Sequence, residues 1–289
     1  MQDVTNAWNE PGRFVTLVGY EWSGNEGDRN IYTSRDHLKL FRGMYPPTSS
    51  IQSVWEYFKQ DNCVVGGPHA PLAHGIIWNY HESLVERFVE IYSMWGASDT
   101  RDNPLATIAR SVTSKSVIEL LRTGACLGFT GGGDCHEGHC GFSCEDPEGQ
   151  GKVPHTFAQK LRFRCGMTAA LLNHLDRRSL IDALRERRTY ATTGARILLS
   201  FSISGIPMGS LGMVKAVVVK AMIHGCSPIK QVEIIKDGEI VFCKEDNRLD
   251  ISIEWKDPEL LKEKHFYYLR VIQKDGQMAW SSPIWIKKN

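Results

Sequence analysis

The period of the hydrophobic pattern changes near residue 195, and this change limits the folds available to the chain. Before it, short apolar runs alternate with amphipathic helical stretches, as in a parallel sheet with crossover helices. After it, apolar and polar residues alternate with a period of two, and Asp237-Gly238 and Asp275-Gly276 each separate two such runs. The sequence predicts an α/β domain over residues 1–194 and a small all-β sandwich-like domain over residues 195–289.

Composition excludes several classes of protein. The 289 residues are 42% hydrophobic, which is enough for a sizeable core, and the net charge of +1 gives no sign of nucleic-acid or anionic-membrane binding. No apolar run approaches the roughly 18 to 20 residues of a membrane span. The eight cysteines are too sparse for a disulfide framework, so we expect reduced thiols and a cytoplasmic location.

The first part contains four predicted strands and three predicted helices. The strands are FVTLVGY (14–20), CVVGG (63–67), RFVEIYS (87–93) and ACLGFTG (125–131). One helix is capped by Ser49 or Ser50 and buries residues 51, 54, 55 and 58, a second is capped by Ser114, and a third covers residues 177–188.

Polar residues follow three of these strands. Glu21 comes after the first, His69 after the second, and Asp134 with His136 after the fourth. Because the carboxyl ends of parallel strands meet at one edge, we expect these side chains to converge. Carboxylates and imidazoles together suit Zn, Mn or Fe with open positions, and such an ion would activate water for hydrolysis.

The segment GGGDCHEGHC (131–140) is the densest in chemically active residues. Its three glycines let the backbone turn sharply and aim Asp134 and His136 inward. Glu137 and His139 are candidate catalytic residues, acting as a general base or by supporting the ligands. An alternative makes Cys135, Cys140 and Cys144, with the histidines, a structural zinc knot, although their spacing matches no paired C-x2-C pattern.

Five further residues are candidates for a supporting role. Glu90 lies inside a buried strand and needs a partner, which is either the metal site or an arginine. The candidate substrate contacts are Arg29, Asn30, Arg35 and Arg196, because guanidinium groups bind phosphate in a bidentate manner and an amide positions water.

Several motifs together resemble the polymerase and histidinol phosphatase (PHP) superfamily. They are GYEWSGNEGDRNIY, GGPHAP, VEIYSMWG, GGGDCHEGHCG and the run from GMTAALL to SISGIPMG. The branch that the chain resembles joins a PHP-like domain of unknown function to a C-terminal β-domain. The resemblance implies a distorted (β/α)7 barrel, here partial, that holds two or three Zn, Mn or Fe ions and hydrolyses phosphoesters.

The resemblance also implies roles for individual residues. Glu21 matches a metal-bridging glutamate, His69 the histidine of an HP motif, and Asp134 with His136 the closing D-x-H pair, while Asn30 falls near a position that holds histidine elsewhere in the superfamily. Neither the H-x-H nor the D-H motif precedes Glu21. The chain is then either the C-terminal part of a longer protein or a shortened form with an incomplete site. An open barrel edge at residues 14–20 would favour a homo-oligomer.

Two classes of function fit these patterns. The leading hypothesis is a metal-dependent hydrolase that acts on a small-molecule phosphoester, with an amide or another ester as a variant of the same chemistry. The alternative is a non-catalytic binding or scaffold protein, in which a degenerate barrel supports a β-domain that binds carbohydrate or protein. Metal content separates the two, because the scaffold hypothesis predicts none.

Overall fold

The computed structural model describes residues 1–43, 49–78, 81–106, 114–134, 165–259 and 264–289. Strands account for 42% of the structure and helices for 13%, so the protein is mainly β. The predicted partial (β/α)7 barrel, and with it the TIM-like architecture, is wrong, because the described residues form several separate sheets.

The described residues contain five short helices. They are α1 (Gln2–Ala7), α2 (Ile51–Phe58), α3 (Pro71–His74), α4 (Val117–Arg122) and α5 (Arg177–Arg185). None of these helices has the length and apolar character that a membrane crossing requires.

Eighteen strands make up the sheets of the described residues. The first eight are β1 (Val18–Gly24), β2 (Gly27–Thr33), β3 (Val64–Pro68), β4 (Phe88–Ser93), β5 (Gly96–Ala97), β6 (Gly128–Gly131), β7 (Met167–Ala170) and β8 (Thr189–Thr192). The others are β9 (Leu198–Ile203), β10 (Ile206–Pro207), β11 (Leu211–Val214), β12 (Val218–His224), β13 (Ile229–Lys236), β14 (Glu239–Glu245), β15 (Asp250–Lys256), β16 (His265–Gln273), β17 (Met278–Ser281) and β18 (Ile284–Lys288).

The first sheet explains why the barrel prediction failed. Strands β1, β2 and β3 form an antiparallel meander, whereas a barrel requires parallel neighbours. Strand β1 continues past Tyr20 to Gly24, and Gly27 adopts a φ of 87° that lets the chain reverse into β2. Glu21 therefore lies within a strand and not after one. Strands β4 and β6 form a second small sheet with β5. Among the strands described within residues 1–194, they are the only two that pair in parallel.

Two larger sheets enclose the main core. An eight-stranded sheet contains β7, β8, β11, β13, β14, β16, β17 and β18, and a four-stranded sheet has the order β10-β9-β12-β15. Buried aliphatic residues of both sheets pack face to face, as in a sandwich. Strand β8 pairs with β17, so the eight-stranded sheet includes strands from both sides of residue 194.

The three predicted helices are present with changed boundaries, since α4 begins after Ser116 and α5 ends at Arg185 and not at residue 188. Helix α2 begins after Ser50 and buries the four predicted apolar residues. Helix α4 is capped by Ser116 and not by Ser114, through a reciprocal pair of hydrogen bonds with Glu119. Helix α5 packs Ile181 and Leu184 against Val65 of β3 and Phe88 of β4. This contact holds β3 and β4 in the positions from which they support the candidate site.

Candidate metal centre

Three of the predicted ligands come together in the structure. Glu21 projects from the middle of β1, His69 follows β3 and Asp134 follows β6, and their ligand atoms all lie within 4.8 Å of one another. His69 Nε2 lies 2.9 Å from Asp134 Oδ2 and 3.9 Å from Glu21 Oε2. His69 is 2% exposed, so the cluster has a buried imidazole with carboxylates on its outer side.

Glu90 supports the opposite edge of the imidazole ring. Its Oε1 lies 2.7 Å from His69 Nδ1, and its Oε2 accepts a hydrogen bond from Asn30 Nδ2 at 3.3 Å. Asn30 is the direct cross-strand neighbour of Glu21. Gly132 packs so closely that a Cβ there would lie 2.1 Å from Glu90 Oε2. The Glu90 carboxylate is thus confined between β2, the imidazole and the backbone after β6.

Two contacts orient the outer carboxylates. Ser23 Oγ donates a hydrogen bond to Glu21 Oε1 at 3.1 Å, and the indole N–H of Trp95 donates to Asp134 Oδ2. Trp95 was not among the predicted site residues, although it follows β4 closely in the motif VEIYSMWG. Its position after the strand that carries Glu90 was the available signal.

The backbone beside two of the clustered residues is strained. Asp134 has a φ of 49°, and Ala70, directly after His69, has a φ of 37°. Residues other than glycine adopt this left-handed region at a cost, and such positions concentrate at functional sites. The strain falls on the turns that aim His69 and Asp134 at each other.

The electrostatics of the cluster favour a cation. Burial lowers the pKa of His69, but Glu90 and Asp134 outweigh burial and hold the pKa well above its ordinary value. Burial, together with Asp28 and Asp134, raises the pKa of Glu21 against the opposing effect of His69. Within the described ranges, neither lysine nor arginine forms an ion pair with Glu21 or Glu90. The three carboxylates of the cluster outnumber its single imidazole.

The donor set fits a divalent metal ion. Two carboxylates and one imidazole supply three ligands of the mixed kind that Zn, Mn and Fe accept, and Glu21, 39% exposed at its side chain, leaves an open side. The Glu90 contact at His69 Nδ1 is the carboxylate partner that metal-binding histidines commonly have. Of the two partners that the sequence left open for Glu90, the structure places its carboxylate beside His69 of the cluster.

The remaining predicted site residues are not part of this cluster, or lie outside the described residues. Arg29 is fully buried and donates from Nε to Glu86 Oε1 at 2.9 Å, on the face of β2 opposite to Asn30. Arg35 pairs with Asp61 at the surface, and Arg196 is exposed before β9. His136, Glu137 and His139 lie outside the described residues, so their predicted roles stay predictions.

The chain is similar to proteins of Chlamydia that are described as uncharacterized. It is 33% identical over 318 residues to one from Chlamydia pneumoniae, covering 100% of this chain and 49% of that protein. It is 34% identical over 315 residues to one from Chlamydia trachomatis, covering 98% and 48%, and 32% identical over 322 residues to one from Chlamydia muridarum, covering 100% and 49%. The chain spans about half the length of these relatives.

The other comparisons add little. No family model matches the chain, so the resemblance to PHP proteins and the assignment as a hydrolase gain no support there. A solved fibronectin(III)-like module of Clostridium thermocellum CbhA is 20% identical, covers 30% of this chain and 92% of its own, and has a TM-score of 0.20. An engineered protein is 14% identical over 31% of this chain and 20% of its own, with a TM-score of 0.22.

Proposed function

We propose that Glu21, His69 and Asp134 bind one divalent Zn, Mn or Fe ion and that the chain uses it to hydrolyse a small-molecule phosphoester. The observation that supports this function is the convergence of two carboxylates and a buried imidazole from three different strands. When bound, such an ion polarises a phosphoryl oxygen and makes a coordinated water more acidic.

The residues around the ligands have separate tasks in this proposal. Glu90 holds the imidazole through Nδ1 and leaves Nε2 facing Glu21 and Asp134. Asn30 fixes Glu90 by donating to its second oxygen, and Trp95 fixes the Asp134 carboxylate. Because these contacts set the ligand directions beforehand, less ordering is needed when the cation binds.

Calorimetric titration of chelator-treated protein with Mn²⁺ and Zn²⁺ tests the proposal. We expect one ion per chain, and we expect Glu21→Gln and Asp134→Asn each to weaken binding by about tenfold or more. The matched controls are Glu254→Gln and Asp250→Asn, two exposed carboxylates on β15, which should bind as wild type does. A wild type that takes up neither metal would overturn the proposal and leave the scaffold hypothesis.

Activity is tested separately with p-nitrophenyl phosphate. Hydrolysis should require added metal and fall by about 100-fold in Asp134→Asn, while Asp250→Asn stays active. In a different outcome, the protein binds metal and yet hydrolyses no phosphate ester, carboxylate ester or amide. That result would support the metal centre and contradict the hydrolase activity.

Two other predictions accompany this function. Cys63, Cys126, Cys226 and Cys243 are free thiols, which is the state expected for the predicted cytoplasmic location. Among the described residues, β1 pairs with β2 alone, so self-association through its other edge stays a prediction.

A further inference from the structure

Helix α1 contacts the rest of the protein through its polar side. Gln2 and Asn6 are four residues apart, so they lie on the same side of the helix. Gln2 Nε2 donates a hydrogen bond to the carbonyl of Leu38 at 2.9 Å. Asn6 Nδ2 donates to the carbonyl of Asp36 at 3.0 Å. A surface helix of a globular protein normally does the reverse, because it packs its apolar stripe against the core.

The apolar residues of α1 and its two ends face solvent. Met1, Val4 and Trp8 follow the i, i+3, i+7 spacing that places side chains on one side of a helix. Trp8 still follows the helical path, since its N–H donates to the carbonyl of Val4 at 3.2 Å. The exposed fractions of these three residues are 98%, 62% and 64%. The helix therefore carries an apolar stripe that lies largely in water.

Two further exposed apolar residues belong to the same region. Glu10 and Phe14 exchange backbone hydrogen bonds of 2.7 and 2.9 Å, which turn the chain back directly after α1. Within this turn, the N–H of Gly12 donates to the carbonyl of Leu175 at 2.7 Å. Phe14 is 56% exposed and Leu175 is 40% exposed. Together with the stripe they form the α1 surface, which consists of Met1, Val4, Trp8, Phe14 and Leu175. Apolar side chains exposed together in this way are typical of a site of contact with another protein.

A helix as short as α1 depends on packing for its stability. Six residues are too few to form a stable helix in water, so most of the stability must come from burial of an apolar face. None of the six residues is buried. Covering the exposed parts of Trp8 and Phe14 would remove roughly 80 to 160 Å² per ring from water. A partner on the α1 surface would therefore supply the favourable term that the helix lacks.

The Chlamydia relatives indicate which partner covers this surface. The match to the Chlamydia pneumoniae protein extends over 100% of this chain, α1 included, but over only 49% of that protein. The other two relatives are matched over 48% and 49% of their lengths. Each relative therefore contains further polypeptide about as long as the matched part. Contacts between two such parts typically cover roughly 600 to 1,500 Å², and a helix stripe flanked by aromatic rings suits such a contact.

We propose that the α1 surface binds a polypeptide equivalent to the unmatched half of these relatives, through an apolar face of that polypeptide. Met1, Val4 and Trp8 pack into this face as a helix packs into a groove, where i, i+3 and i+7 side chains are the anchors. Phe14 and Leu175 form the border of the contact. The contact requires neither metal nor hydrolysis, so it is independent of the proposed function.

Hydrogen exchange measured by mass spectrometry on this chain and on the full-length Chlamydia pneumoniae relative tests the proposal. In this chain, the amides of residues 2–14 should exchange within about tenfold of the rate of an unfolded peptide. In the relative, the aligned amides should exchange at least about 100-fold more slowly, after correction for the intrinsic rate of each sequence. Strands β12 and β15 are the reference and should be protected equally in both proteins. Equal exchange at α1 would overturn the proposal, and so would an equal slowing of the reference strands, because it would indicate general stability.

Sedimentation velocity distinguishes this partner from a second copy of the chain. Trp8→Lys places a charge in the α1 surface, and the matched control Met222→Lys places one at a β12 side chain that is 65% exposed. We expect both variants to sediment as the wild type does between about 1 and 100 μM. Loss of self-association in Trp8→Lys alone would show that a second copy covers the surface, and would overturn the proposal.

Discussion

Glu90 illustrates how a single buried carboxylate can organise the candidate centre. It lies 2.7 Å from His69 Nδ1 and receives the Asn30 amide, so it sets the direction of Nε2. We predict that Glu90→Gln weakens Mn²⁺ or Zn²⁺ binding by about 10- to 100-fold while the three ligands remain. Calorimetric titration measures the change.

A buried carboxylate elsewhere provides the control. Glu233 is 3% exposed, lies on β13 of the eight-stranded sheet and pairs with Arg270. Glu233→Gln should destabilise the protein yet leave metal affinity unaltered. An equal loss of affinity in both variants would mean that Glu90 acts through general stability and not through His69.

We predict that the stability of the protein depends on pH through the carboxyl group of Asp257. Burial raises its pKa, but hydrogen bonds from the Glu259 N–H, Tyr267 and Lys236 outweigh burial and lower it below its ordinary value. A depressed folded pKa means that the stabilisation is fully present above the unfolded pKa, about 3.9, and is lost as pH falls through the folded pKa.

The substitution Asp257→Asn tests the predicted loss of stability at low pH. We expect it to lower the free energy of unfolding by about 2 kcal/mol at pH 7, because Lys236 loses its buried carboxylate partner and keeps only the exposed Glu259. Urea denaturation should show the difference from wild type unchanged down to about pH 5 and shrinking below about pH 4. The exposed Asp250→Asn serves as control, with a change within about 0.5 kcal/mol. A difference that grows in acid would contradict the assignment.

At the scale of elements, helix α4 depends on its first turn. Ser116 Oγ accepts from the Glu119 N–H at 3.3 Å, and the Glu119 carboxylate accepts from the Ser116 N–H at 2.6 Å. We predict that Ser116→Ala costs about 1 kcal/mol of stability, measured by urea denaturation. Ser252→Ala, exposed on β15, should change stability by less than about 0.5 kcal/mol, and a cost as large there would argue against a capping effect.

The elements also show what local sequence can and cannot reveal. Helix α2 and the hairpin at Asp237-Gly238 were predictable, since spacing and turn residues act over a few positions. The turn between β1 and β2 was not predicted because Asn25-Glu26 is not a standard hairpin pair. Strand β2 was not predicted because Arg29 and Asn30 are polar, although both are buried. Without this turn, the sequence predicted a parallel barrel.

The candidate centre was nevertheless found in part. His69 and Asp134 do follow strands, so the rule that polar residues gather at strand ends applies to them. Glu21 reaches the same place from inside an antiparallel strand and not from the end of a parallel one. The Trp95 contact depends on how the chain folds back after β4, and no local pattern reports that.

At the scale of the whole molecule, the core does not stop at residue 194. Val89 and Phe129 from the first part share one apolar cluster with Phe266 and Trp280 from the second. Asp99, fully buried, accepts hydrogen bonds from Trp280 Nε1 at 2.9 Å and Arg270 Nη1 at 3.0 Å. Because apolar packing and a buried ion pair both cross the boundary, neither part can unfold without exposing the other.

We therefore predict a single cooperative unfolding transition that Asp99→Asn shifts as a whole. Loss of the charge opposite Arg270 should lower stability by about 3 kcal/mol, with circular dichroism and tryptophan fluorescence giving the same midpoint in urea. Hydrogen exchange should quicken both in β4 and in β16, because the two strands share the affected core. Asp102→Asn, exposed three residues away, should leave both strands protected. Two separate transitions, or faster exchange confined to residues 195–289, would show that the parts unfold independently.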